Sequence, residues 1–166
     1  MRGLSIAAVA VSLVAPQALS QTGSNGASLV ECRLPLRDAM QAALKFPVLK
    51  REKEAETGDV TAVLQPAGLN VIGQPVQAFN VTRSTWDTQT TTFTTLVALD
   101  YPAVKAALPK AYGKTKCDVV GTAITYCQMT MPEDASTGAR HRVTMSAEPA
   151  EGGGTMLSCL YEKLDS

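Results

Sequence analysis

The chain has 166 residues, of which 45% are hydrophobic and 5% aromatic, and its 15 basic and 15 acidic side chains give a formal net charge of zero. This length and composition are typical of one globular domain with a largely aliphatic core. The balanced charge provides no electrostatic footprint for nucleic-acid binding, so no nucleic-acid partner is expected, and it disfavours attachment to anionic membranes.

The N-terminal segment has the layout of a secretory signal peptide. Arg2 supplies a short positive region, residues 4–14 form an apolar run, and Ala18-Leu19-Ser20 places small residues at a cleavage site before Gln21. The run is too short for a transmembrane helix, which needs about 20 apolar residues. No cysteine directly follows the cleavage site, so no lipid anchor is expected. The sequence predicts a signal peptide over 1–20, a periplasmic or secreted location, and no membrane anchor after cleavage.

A leader and then a helix follow the predicted cleavage site. The small polar residues of QTGSNGAS indicate a flexible leader over 21–30, so a single α+β domain is predicted over 31–166. Apolar side chains then recur at helical spacing, and a stripe of this kind is typical of a helix that faces the core. The stripe consists of Leu36, Ala39, Met40, Ala43 and Leu44. Pro35 suits the first turn of this helix and Pro47 marks its end.

A charged run and several short extended segments come next. Residues 50–59 (KREKEAETGD) carry nearly balanced charge, which predicts a solvated helical extension or loop. Residues 60–64 are predicted as a strand. Residues 69–72 and 76–82 are predicted as two further strands, separated by a tight turn at Gly73.

The threonine-rich stretch over 79–100 is predicted to complete a β-hairpin. Side chains alternate between the two faces of a strand, so Phe93 and Val97 share one face while Thr92 and Thr94 share the other. Threonine suits the wet face because it is β-branched and its hydroxyl tolerates water. The polar residues 83–89 form the connection between the two strands of this hairpin.

A second helix is predicted immediately after the hairpin. Asp100 is a plausible N-cap and Pro102 suits the first helical turn. Pro109 is expected to end or kink the helix, and Gly113 closes the segment.

The last third of the chain is predicted to be β-rich, with extended segments over 119–131, 140–148 and 155–162. Neighbouring strands are separated by few residues, which favours antiparallel pairing. The predicted fold class is α+β: an antiparallel sheet of about five to seven strands with two helices packed on one face, stabilised by disulfides.

The four cysteines are Cys32, Cys117, Cys127 and Cys159. An even number in an exported chain predicts two disulfides, and no two cysteines have the close spacing of a zinc site. Three connectivities are possible. A loop over 121–123 would set Cys117 opposite Cys127 in a hairpin, so we expect that bridge together with Cys32–Cys159, which joins the start of the fold to its last strand.

Catalytic motifs are weak in this sequence. His141 is the one histidine, so a metal site built from two or three histidines is excluded, and no Gly-x-Ser-x-Gly nucleophile elbow is present. Gly152-Gly153-Gly154 lacks the spacing of a dinucleotide-binding loop and is predicted as a flexible turn. We therefore predict no catalytic residues, no metal ligands and no cofactor.

The strongest candidate for partner binding is the polar connection that contains the only tryptophan. Trp86 lies beside Arg83 and Asp87, and Trp and Arg are enriched where partners bind. The alternative is that Trp86 folds back over the edge of the core. The sequence favours an exported, non-catalytic binding or accessory domain, inhibitor-like or ligand-binding, whose partner is an unidentified protein or small ligand. The alternative is a small hydrolase of the cell envelope.

Overall fold

The computed structural model describes residues 28–84, 86, 89–120 and 125–165. Two helices, α1 (Leu36–Ala43) and α2 (Tyr101–Tyr112), accompany a short helical segment at residues 28–30. The strands of this part of the chain are β1 (Val48–Lys53), β2 (Val60–Leu64), β3 (Asn70–Val71), β4 (Gln74–Ser84), β5 (Thr90–Val97), β6 (Lys116–Val120), β7 (Thr125–Asp134), β8 (His141–Pro149) and β9 (Thr155–Lys163).

The strands form one antiparallel sheet in the order β1-β2-β4-β5-β9-β8-β7-β6, and β3 pairs with the start of β4. Short connections pair strands that are neighbours in sequence. Helix α2 is the long connection, since it takes the chain from central β5 to β6 at the far edge. The chain then returns through β7 and β8, and β9 pairs with β5 in the middle of the sheet.

One face of the sheet carries the hydrophobic core. Along β5, Thr91, Phe93, Thr95 and Val97 are buried, and the residues between them are half-buried. Leu36 and Ala39 of α1 belong to the same buried cluster as Val104 and Leu108 of α2. Both helices therefore cover this face, which we call the covered face, and the opposite face is called the open face. An antiparallel sheet with helices on one face was predicted, but the described residues contribute nine strands to the sheet, not five to seven, and residues 28–30 add a third helical segment to this part of the chain.

The prediction of a helix or loop over the charged run is wrong for residues 50–53, whereas residues 54–59 do form a loop. Residues 48–53 form the edge strand β1, in which Arg51 pairs with Ala62 of β2, and all six residues are exposed. Lys50 and Glu52 form an ion pair on this strand. Backbone pairing with β2 outweighs the helical preference of Lys and Glu, and charged side chains on an edge strand oppose pairing with other chains.

Two boundaries near α1 also differ from the prediction. Leu29 and Val30 are fully buried, so the domain begins within the predicted leader. Leu44, predicted to face the core, is 72% exposed. Helix α1 ends at Ala43 and Leu44 is its C-cap residue, so the apolar stripe stops one residue earlier than its spacing suggested.

Helix α2 begins as predicted but continues past its internal proline. The Asp100 side chain accepts a hydrogen bond from the Ala103 amide at 3.2 Å, which confirms the N-cap. Pro109 lies exposed inside the helix, which continues to Tyr112 and stops at Gly113, where φ is 79°. Of the two predicted outcomes, an end or a kink at Pro109, the end is therefore wrong, since the helix tolerates this proline in its last turn.

The described residues form two disulfides. Cys32–Cys159 joins residues 127 positions apart in the sequence, and Cys117–Cys127 joins residues ten positions apart. These are the two pairs that the sequence predicted. Strands β6 and β7 form the expected hairpin, while its loop at 121–123 lies outside the described residues. The predicted signal peptide at 1–20 lies outside them too. Among the described helices, none is long and apolar enough to cross a membrane.

Candidate functional site

Four neighbouring strands place one residue each in a row on the open face. Ala78 of β4 pairs with Leu96 of β5, Leu96 pairs with Met156 of β9, and Met156 pairs with Glu148 of β8. Directly opposite residues in antiparallel strands have Cβ atoms about 5 Å apart. The register therefore builds a short apolar floor that ends in a carboxylate.

A second row of polar side chains borders this floor. Asn80 pairs with Thr94, and Thr94 pairs with Ser158. The hydroxyls of Thr94 and Ser158 lie 3.3 Å apart, within hydrogen-bond distance. The amide of Asn80 and these hydroxyls give the apolar floor a hydrogen-bonding border.

The turn between β8 and β9 forms the wall of the site. The Ala150 amide donates to the Gly154 carbonyl at 3.2 Å, and the Gly153 amide donates to the Ala150 carbonyl at 3.1 Å. Gly152, Gly153 and Gly154 all have positive φ, which glycine adopts at little cost. The segment predicted from sequence as a flexible turn is a hydrogen-bonded, left-handed turn that holds Glu151 beside the apolar floor.

These parts enclose a groove of about 800 Å³, which we call the open-face groove. Its lining consists of Ala78, Asn80, Thr94, Thr95, Leu96, Glu148, Pro149, Ala150, Glu151 and Met156. The volume lies in the range of small-molecule binding sites. Neither Glu148 nor Glu151 makes an ion pair with a described residue. The groove therefore combines apolar surface with two carboxylates whose charge no described residue neutralises.

The residues predicted to bind a partner lie elsewhere. Arg83 is exposed near the end of β4, five positions along the strand from Ala78. Trp86 is 71% exposed, so the alternative that it covers the core is wrong. Asp87 lies outside the described residues. The partner-binding role of Arg83, Trp86 and Asp87 remains a prediction.

His141 is buried at the start of β8, on the covered face. Among the described residues, no hydroxyl or carboxylate forms a hydrogen bond with its ring, so the base–nucleophile contact of a hydrolase is not assembled there. The same part of the chain contains no group of three or more His, Cys, Asp or Glu side chains that could hold a metal ion.

The groove could not be predicted from the sequence because each of its residues is ordinary in its own strand. Leu96, Met156 and Glu148 are far apart in the chain and meet only through the register of β5, β9 and β8. The one local signal was the run of three glycines, which marks a turn with an unusual backbone.

Comparison with known proteins gives no match: neither a family model, nor a curated protein, nor a solved structure resembles this chain significantly.

Proposed function

We propose that this protein is a small exported, non-catalytic binding domain whose ligand lies in the open-face groove. The observation that carries the proposal is the row Ala78–Leu96–Met156, a half-buried apolar surface in the middle of the sheet, next to two carboxylates that lack partners among the described residues. Two disulfides support a periplasmic or extracellular location, because disulfides persist in oxidising compartments.

The lining chemistry defines the class of ligand. Leu96 and Met156 favour an apolar body, and a methionine side chain adapts its shape to different ligands. Glu148 and Glu151 favour a positive charge at one end of that body, while Asn80 accepts and donates hydrogen bonds. The occupant that fits is an amphiphilic cation, such as an alkylammonium group or a basic side chain with an apolar stem.

The experiment is a calorimetric titration that compares two probes with the same alkyl chain and opposite charges. We expect n-octylammonium to bind more tightly than n-octanoate. Glu151 is exposed and Glu148 is half-buried. An ion pair that water reaches contributes up to about 1 kcal/mol, so Glu148→Gln and Glu151→Gln should each weaken n-octylammonium binding by roughly two- to fivefold.

Glu56→Gln is the matched control, because Glu56 is exposed in the β1–β2 turn, away from the groove. This variant should bind n-octylammonium like the wild type. Equal affinity for the two probes, or equal weakening in all three variants, would contradict the proposal.

A further inference from the structure

A second concave site lies on the covered face, at the opposite end of the same four central strands. A pocket of about 360 Å³ lies here, beside the start of helix α1 and the β7–β8 connection. We call it the covered-face pocket. Its lining consists of Leu36, Arg83, Ser84, Gln89, Thr90, Thr91, Thr137, Ala139, His141, Tyr161 and Lys163.

Strand register explains why cationic side chains converge here. Arg83 of β4 pairs with Thr91 of β5, and Thr91 pairs with Tyr161 of β9. Two positions beyond Tyr161, Lys163 pairs with His141 of β8. Residues two apart on a strand share a face, so all of these side chains lie on the covered face.

The positive charges of the pocket have no described counter-ion. Arg83 makes no ion pair or hydrogen bond through its side chain with a described residue. The Lys163 ammonium donates only to the neutral Gln89 side chain, at 3.3 Å, among the described residues. No acidic residue is among the described lining residues. The nearby Glu162 carboxylate pairs with Arg142 at 3.0 Å on the open face.

His141 adds a buried group that lacks a partner. Its side chain is 6% exposed, and Nδ1 is enclosed by protein without any hydrogen-bond partner among the described residues. Asp134 pairs with His141 in the strand register, but its carboxylate accepts hydrogen bonds from the Leu36 amide and from Ser136. Nδ1 is enclosed, so Nε2 is the ring nitrogen that can reach a ligand, and it donates a hydrogen bond when it carries a proton.

We propose that the covered-face pocket binds a compact oxyanion, either a carboxylate or a phosphate group. Arg83 supplies a planar set of N–H donors that suits two oxygens of such a group, and Lys163 adds a second positive charge. His141 and the hydroxyl of Thr91 supply further donors on the inner side of the pocket. This site is separate from the open-face groove, and it rests on a different set of residues.

The test is an NMR titration of the whole protein with inorganic phosphate and, separately, with acetate. We expect a saturable shift of the His141 ring signals and of the Thr91 amide, and the tighter of the two probes identifies which oxyanion the pocket prefers. Loss of a charge-assisted hydrogen bond should weaken binding of that probe about tenfold in Arg83→Gln.

Arg51→Gln is the matched control, because Arg51 is exposed on edge strand β1, beyond β2 from Arg83. It should leave the affinity unchanged. Lys163→Gln provides a second variant that should weaken binding. Shifts that do not saturate with either probe, or equal weakening in Arg83→Gln and Arg51→Gln, would overturn the proposal.

Discussion

Tyr161 links the centre of the sheet to the segment that precedes α1. Its ring is fully buried and packs edge-on against Phe93, with the ring centroids 5.9 Å apart. Its hydroxyl donates to the Leu34 carbonyl at 2.5 Å. Burial, with a smaller effect of the Asp134 carboxylate, raises the pKa of the Tyr161 phenol well above its usual range. Burial likewise raises the pKa of Tyr112, where the Glu31 carboxylate adds to the effect.

These two raised pKa values predict a loss of stability at alkaline pH. The unfolded chain releases the tyrosine protons near pH 10, whereas the folded chain retains them to higher pH. The free energy of unfolding should therefore fall as pH rises above about 10, by up to about 1.4 kcal/mol per pH unit for each tyrosine.

Tyr161→Phe should make this alkaline decline shallower, and it should lower stability at pH 7 by about 1 kcal/mol through the lost hydrogen bond to Leu34. Denaturant unfolding of both proteins from pH 7 to 11 measures the two effects. Parallel curves for the variant and the wild type above pH 10 would show that Tyr161 ionises as easily in the folded chain as in the unfolded one.

Gly154 permits the wall of the open-face groove to form. Its φ is 84°, and a Cβ at this position would collide with the Val97 carbonyl oxygen. Gly138 has a similar φ of 86°, but a Cβ there would meet open space. We expect Gly138→Ala to cost about 1 kcal/mol for the left-handed backbone alone, and Gly154→Ala to cost clearly more because the turn must also move. Thermal unfolding of the two variants measures this difference, and equal costs would show that the β8–β9 turn adapts freely.

At the scale of elements, α1 depends on residues that are distant in sequence. Its N-cap residue, Pro35, has no side-chain hydrogen bond to offer. The Asp134 carboxylate accepts from the Leu36 amide at 3.0 Å, and the Ser136 hydroxyl accepts from the Arg37 amide at 3.1 Å. The β7–β8 connection therefore caps α1, and a carboxylate at this end also suits the helix dipole.

Two leucines, one inside α2 and one at the C-cap of α1, differ in burial, and comparing their alanine variants tests which side chains belong to the core. Leu108 of α2 is fully buried, whereas Leu44 at the end of α1 is 72% exposed. Leu108→Ala should lower the free energy of unfolding by about 2–5 kcal/mol because it leaves a cavity, and Leu44→Ala should change it by less than about 0.5 kcal/mol. Denaturant unfolding of the two variants measures both changes in the free energy of unfolding. A large effect of Leu44→Ala would mean that this residue packs against the protein in solution.

The sequence predicted elements well where the signal is local. Asp100 with Pro102 marks the start of α2, and the alternation around Phe93 gives the two faces of β5 correctly. The β1 strand was missed because charged residues favour a helix, and only pairing with β2 determines the outcome. The burial of Leu44 was predicted wrongly because the spacing of apolar residues does not show where a helix stops.

At the scale of the whole molecule, the two disulfides close loops of very different length. Cys32–Cys159 spans 127 positions and fixes the segment before α1 to central strand β9, whereas Cys117–Cys127 spans ten within one hairpin. In the chain-entropy model the longer loop gives about 5 kcal/mol of stabilisation and the shorter about 3. Replacing both cysteines of one bridge with alanine should therefore cost more for Cys32–Cys159.

Thermal unfolding of the two double variants measures this order, and non-reducing peptide mapping confirms the pairs in the native protein. A greater loss in the Cys117–Cys127 variant would contradict the account, as would a peptide that joins Cys127 to Cys159.

The disulfide pairs could be predicted from the sequence because a hairpin spacing suggested one bridge and left two cysteines for the other. The two pockets could not be predicted, since each combines residues from β4, β5, β8 and β9 that meet only through long-range register. Of the residues singled out in the sequence, Arg83 and His141 do lie together, but in a pocket that their positions in the chain did not reveal.

Backbone amide shifts during titration with n-octylammonium show directly whether the open-face groove binds a ligand with an apolar body and a positive charge. We expect saturable shifts concentrated on Ala78, Leu96, Glu148 and Met156, with little change at Arg83, at the other end of β4. Shifts that concentrate around Arg83 and leave the groove unchanged, or no saturable shift at all, would contradict this expectation.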